Sequence, residues 1–130
     1  MIKQPEIINK VWGHEEIFVN CEDYCGKKLI LKEGAYCSTH SHFKREHFVV
    51  EKGFISLALE TENNTIQFID LDIGDCIEIP RNKWHSFYGV EDSEIIEFST
   101  PDMESKRLNS SGTGEEDDWR METLRVWSER

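Results

Sequence analysis

From Val11 to Thr100 the chain is a run of short β-prone segments cut at close intervals by turn residues, with no stretch of helical period. VWGHEEIFVN, KKLILKE and FISLALET are rich in β-branched and aromatic residues. Ile55, Leu57 and Leu59 alternate with Ser56, Ala58 and Glu60, the period-two pattern of a strand with one buried face. Asn63-Asn64 reads as a hairpin turn into TIQFIDL; Asp72-Ile73-Gly74-Asp75 and Pro80-Arg81-Asn82-Lys83 punctuate the next two steps, and WHSFYGV and SEIIEFST read as two further strands. About eight or nine strands at this spacing predict an antiparallel sandwich or barrel.

The flanks differ. Residues 1–10 read as a polar arm, and 101–130 as a polar extension. Within the extension, SKRLNSSGTGEEDD predicts a mobile loop. WRMETLRVW predicts either a short helix capped by Asp117 or Asp118, or a final strand. Its apolar Trp119, Leu124 and Trp127 need a surface, either the outside of the barrel or a second subunit.

At 130 residues the chain is expected to be one domain with one core. The 26 acidic residues against 15 basic ones, a net charge of -11, argue against nucleic acid or an anionic membrane as partner. No apolar run approaches the roughly 20 residues of a membrane span. The N-terminus shows no secretory h-region, so a cytoplasmic location with reduced Cys21, Cys25, Cys37 and Cys76 is expected. Cys21-x3-Cys25 has no second pair at zinc-site spacing.

Three histidines and a glutamate carry the chemistry. His40 and His42, two apart on a predicted strand, point to one face about 7 Å apart. Glu46 follows after a bend at Phe43-Lys44-Arg45, and His85 comes from a different strand just past the Pro80 turn. Three neutral imidazoles and one carboxylate suit iron, manganese, nickel, zinc or copper in the +2 state. Held on rigid strands, one such ion would keep one or two positions for water or substrate.

The spacing narrows this further. Gly34-x5-His40-x-His42-x3-Glu46-x6-Gly53 matches the first cupin motif, and Gly74-x5-Pro80-x4-His85 matches the frame of the second, with 20 residues between Gly53 and Gly74. The chain therefore resembles a single-domain cupin over residues 11–100, which implies an all-β jelly-roll barrel (a double-stranded β-helix). Two positions depart from the second motif: Asn82 stands where glycine is usual, and Gly89 where asparagine is. Asparagine tolerates left-handed backbone, so the turn is expected to survive.

Arg45-Glu46-His47-Phe48-Val49-Val50 followed by Gly53 resembles a stretch of type II mannose-6-phosphate isomerases, with one residue fewer between Arg and Glu; Lys10-Val11-Trp12-Gly13 and the final strand at 92–100 are similar to the same group. This resemblance implies aldose–ketose isomerisation of a sugar or sugar phosphate at one divalent ion. Glu46 and Lys83 are then candidate catalytic groups, and Lys44, Arg45 and Lys83 could hold a phosphate near the mouth. His47 is opposite Glu46 by strand parity and is expected to face outward. Parity also predicts a pocket lined by Tyr36, Ser38, Phe48 and Phe87, with Cys37 packed outward and Cys76 a small buried hydrophobe.

Two other functional classes share the ligand set: an iron- or copper-dependent dioxygenase, and a metal-containing cup that binds a small ligand such as a sugar without catalysis. A homodimer is expected, with the N-terminal strand or the Trp119–Trp127 segment at the interface.

Overall fold

The computed structural model describes residues 1–109, 111–115 and 118–130. Asp117, one of the two expected helix caps, lies outside them, as do Ser110 and Glu116 of the expected loop. In chain order the strands begin β1 (Glu6–Lys10), β2 (Gly13–Asn20), β3 (Cys25–Leu31), β4 (Ala35–Tyr36), β5 (His40–Ser41), β6 (Glu46–Lys52) and β7 (Phe54–Glu60). They continue with β8 (Ile66–Asp72), β9 (Cys76–Ile79), β10 (His85–Gly89), β11 (Ser93–Ser99), β12 (Lys106–Arg107) and β13 (Gly114–Glu115), before helix α1 (Trp119–Ser128).

All pairings are antiparallel. One sheet runs β1-β2-β3-β11-β6-β9. In the other, β10 pairs on one edge with β7, which carries β8, and on its other edge with both β4 and β5; β12 and β13 extend β5 and β4. The two sheets close on one core, where Leu29, Leu31, Phe48, Val50, Ile55, Leu57, Phe87 and Ile95 pack with Trp12. This is an all-β jelly-roll barrel in a single domain.

One sequence expectation changes here, and one left open is resolved. Residues 6–10, expected within a polar arm, form β1 and pair with β2 from Glu6↔Ile17 to Lys10↔Gly13. The C-terminal segment is helical, because a ten-residue stretch with Trp119, Val126 and Trp127 on one side can cover the outside of the second sheet. Asp118 stands at its N-cap without a side-chain capping bond. Trp119 and Trp127 are therefore buried against their own barrel, while Met121 and Leu124 of the same helix stay exposed. Trp119 stacks on Tyr88 with ring centroids 5.3 Å apart and meets Phe68 edge-on at 5.4 Å. Its Nε1 donates to Ser86 Oγ at 2.9 Å. The outward side chains beneath it, Ala58 and Ser86, are small and fully buried, which lets the indole approach the sheet. Trp127 and Val126 pack with Leu108, Ile66 and Trp84.

The turns follow the expected glycines. Gly34, Gly53 and Gly74 all have positive φ, and Asn82 takes φ 63° at the motif position where glycine is usual. Gly53, at φ 84° between β6 and β7, is the most constrained: a Cβ there would run into the Asp92 carbonyl and Ser93. Gly53→Ala combines a left-handed penalty with a backbone collision, so it is expected to destabilise the fold by more than about 2 kcal/mol, read as a lowered midpoint in urea. A midpoint unchanged from the parent would remove this account of the turn.

Candidate metal centre

His40 and His85 are paired directly across β5 and β10, so their side chains leave the sheet on one face with ring centroids 4.2 Å apart. His42, just beyond β5, brings its ring to 5.1 Å from His85. The three rings offer nitrogens that all lie within 4.8 Å of one another. Glu46 opens β6 on the opposite sheet, and its Oε1 reaches His42 Nε2 at 3.1 Å and His85 Nε2 at 3.2 Å.

The other nitrogen of each ring is held by backbone. His40 Nδ1 bonds the Ser38 carbonyl at 2.8 Å, His85 Nδ1 the Lys83 carbonyl at 2.9 Å, and His42 Nδ1 the Lys44 carbonyl at 3.2 Å. A carbonyl only accepts, so each Nδ1 carries a proton and each ring turns its Nε2 into the cup. His85 Nε2 is buried and, with Glu46 Oε1 3.2 Å away, makes no well-formed hydrogen bond among the described residues. Three imidazole nitrogens within 4.8 Å of one another, two of them about 3 Å from a carboxylate oxygen, are a set that a cation satisfies, and the backbone bonds to Nδ1 are a usual outer support for metal ligands. The residues thus fit a divalent ion. Burial and the neighbouring His85 push His40 down to about 3, so this ring stays neutral as a ligand requires. Burial pushes Glu46 upward, but His42, His85 and Lys44 more than offset it and hold the carboxylate well below its usual range.

The rings line a cavity of about 560 Å³ between the sheets. Ser38, Phe48 and Phe87 also line it, together with Trp12 and Leu29. Tyr36 does not. The strand breaks between β4 and β5, so period-two parity does not carry from residue 36 to residue 40, and Tyr36 packs outside with Ala58 and Trp119. For the same reason Cys37, expected to face outward, is buried and lines the cavity, its thiol pushed up to about 12 by burial. Cys76, expected to be buried, is exposed where β9 forms the edge of its sheet.

The basic residues are also rearranged. Lys83 lies outside the cavity, its Nζ 4.0 Å from Glu62; only its carbonyl serves the site, through His85. Arg45 is on the outer face, where it pairs with Glu78 at 2.9 Å near the half-exposed His47. Lys44, expected near the mouth where it could hold a phosphate, is buried inside. Its Nζ lies 2.7 Å from Glu97 Oε2, 3.5 Å from Glu46 Oε2 and 2.5 Å from Asp102 Oδ1. Burial lowers its proton affinity, yet Glu97 and Glu46 raise it further, so it stays charged. Lys27 completes the network, 3.0 Å from Asp102 and 3.2 Å from Glu15.

Glu97 and Asp102 are the functional candidates that sequence reasoning missed. Glu97 is paired with Lys27 on β3 and Phe48 on β6, in the inward row of the sheet. Its signal was in SEIIEFST: inward Ser93 and Ile95 put Glu97 on the same face. Asp102 comes from the segment after the last long strand and had no periodicity to mark it.

Burial and the charge on Glu46 push Glu97 up to about 7, partly restrained by Lys44 and Lys27. The folded protein therefore holds this proton more tightly than the unfolded chain, whose value is near 4.5. Its contribution to stability is present below about 4.5 and is lost as pH rises through 7. His40 acts in the opposite sense: its contribution is present above 6.5 and is lost on acidification toward 3. Glu97→Gln deletes only the first. In chelator-treated protein its melting temperature relative to the parent is expected to be higher at pH 8 than at pH 5. A difference that does not change with pH would show that Glu97 does not titrate in that window.

No protein-family model and no curated protein sequence matches this chain. Solved structures do match its fold. Oxalate decarboxylase from Bacillus subtilis superposes with a TM-score of 0.70 at 18% identity, over 80% of this chain and 30% of that one. A structure devoted to the Mn(II) centres of the same enzyme gives 0.67 at 19% identity, over 83% and 30%. KdgF from Halomonas sp. gives 0.61 at 22% identity, over 69% of this chain and 81% of its own. The chain thus spans about a third of the length of oxalate decarboxylase. The chain shares the barrel fold of these proteins, with a candidate metal centre of three histidines in its cup. No helix among the described residues is long and apolar enough to cross a membrane.

Proposed function

We propose that the cup is the active site of a metal-dependent isomerase that moves a proton between neighbouring carbons of a sugar or sugar phosphate. His40, His42, His85 and Glu46 would hold the ion. Once bound, it would supply Lewis-acid stabilisation of charge developing on the substrate's oxygens. The observation that carries the reading is Glu97, a buried carboxyl on the wall of the same cavity, bridged to Glu46 through the Lys44 ammonium. A general base works best with a proton affinity near the working pH, and burial has raised Glu97 to about 7. Glu97 takes the proton from one carbon and returns it to the next. Lys44 fixes its orientation, and the apolar walls of Trp12, Phe48 and Phe87 exclude water. This assigns the base to Glu97 rather than to Glu46, which belongs with the ion, or to Lys83, which is outside.

The dioxygenase and pure-binding readings, and a decarboxylase reading suggested by the name of oxalate decarboxylase, lack a comparable observation. The test is solvent exchange. Metal-loaded protein incubated without oxygen in deuterated water with mannose, mannose 6-phosphate and related aldoses is expected to place deuterium beside the carbonyl and to form the ketose. Turnover only in a parallel aerated sample with oxygen uptake, release of carbon dioxide, or tight retention of a sugar without exchange would each overturn the isomerase reading in favour of its rival.

A further inference from the structure

We infer that the cup takes an uncharged, polyhydroxylated substrate, a free sugar or polyol rather than its phosphate ester. The inference rests on the isomerase reading and deepens it. Its basis is the charge lining the cavity. At the rim, Lys10 and Glu104 offset one another. Deeper, Lys27 and Lys44 face Glu15, Glu46, Glu97 and Asp102. With Glu97 ionised, as a base must be before it accepts a proton, two cations against four carboxylates leave two negative charges, and a single divalent ion among the histidines would cancel both. The loaded cup is then neutral.

Neither inner lysine has a charge to offer an incoming anion. Lys44 is ringed by Glu97, Asp102 and Glu46, and Lys27 by Asp102 and Glu15, with the lysine side chains 5% and 7% exposed. A phosphate dianion entering here would leave its water shell, find both ammonium groups already paired, and face four carboxylates. Hydroxyl groups meet none of this. The carboxylate oxygens accept from them, and Trp12, Phe48 and Phe87 offer apolar surface to the carbon-bound hydrogens of a sugar. A cavity of about 560 Å³ is within the usual range for small-ligand sites. Proton transfer to Glu97 keeps the charge within the cup, so a neutral substrate leaves the balance intact throughout.

The experiment uses the full chain loaded with Mn(II). Binding of sorbitol, sorbitol 6-phosphate and inorganic phosphate is followed by the change in water-proton relaxation at the bound ion. Sorbitol is expected to bind at least tenfold more tightly than its phosphate ester, with inorganic phosphate weaker than sorbitol. Asp102→Asn, with Glu15→Gln as a second variant that spares the Lys44 contacts, is expected to narrow that preference by about tenfold. Tighter binding of the phosphate ester by the parent, or a preference that neither variant moves, overturns the charge argument and leaves the isomerase reading standing. If no ligand perturbs the bound Mn(II) and no sugar exchanges with solvent, the isomerase reading falls and this inference with it.

Discussion

Replacing Glu97 with Gln is expected to lower kcat for sugar isomerisation by roughly 10²–10⁴-fold, the range a positioned general base supplies. Gln keeps the shape and a hydrogen bond to Lys44 but cannot accept a proton. Metal content is expected to stay at the parental level, because Glu97 is not among the groups that face the three imidazoles directly. KM is expected to move much less than kcat, since the lost interaction belongs to the transition state. Stopped turnover with a full complement of metal would separate the base from the ligands. A variant that loses metal and activity together would place Glu97 in a supporting role instead. Full activity in the variant would return the assignment to another group in the cup.

His85→Ala is expected to be the most damaging change for metal binding, with the affinity for a divalent ion falling by more than the roughly 10–100-fold that loss of an outer support produces. His85 is 1% exposed, it pairs directly with His40, and its buried Nε2 lies 3.2 Å from Glu46 Oε1. Removing the ring also leaves Glu46 with one imidazole fewer against its charge. The checks are elemental analysis after dialysis and the difference in melting temperature with and without added Mn(II). The parent is expected to gain stability from the ion and the variant to gain almost none. A variant that binds the ion as well as the parent would dissolve the metal centre as described.

The histidine pattern was legible because it depends on short-range rules. Two residues on one strand, a carboxylate opening the next and an imidazole after a proline turn are set by strand parity and turn positions, and both are local. Asn82 could be read as a left-handed residue for the same reason. Parity failed where the chain ceased to be a strand. Tyr36 and Cys37 lie before the irregular stretch leading to β5, and their faces cannot be counted across it. The second half of the cup was harder still. Lys27, Glu97 and Asp102 meet only because β3 and β11 become neighbours and the following segment runs back over the sheet. In KKLILKE nothing local says which of the adjacent lysines turns inward. Charged residues in strands are ordinarily read as solvent-facing, so a buried network of four carboxylates and two ammonium groups is the feature that composition conceals most fully.

Asp102 clamps both inner lysines although it lies past the final barrel strand, and Met103, Glu104, Ser105 and Thr113 continue from it along the rim of the cup. A protein shortened to its first 100 residues would keep every imidazole and lose a wall of its own reaction vessel. Water would then reach both ammonium groups, each short of one carboxylate. Attempts to trim this chain to a minimal catalyst, or to graft its histidines onto another barrel, would therefore need to bring the tail along.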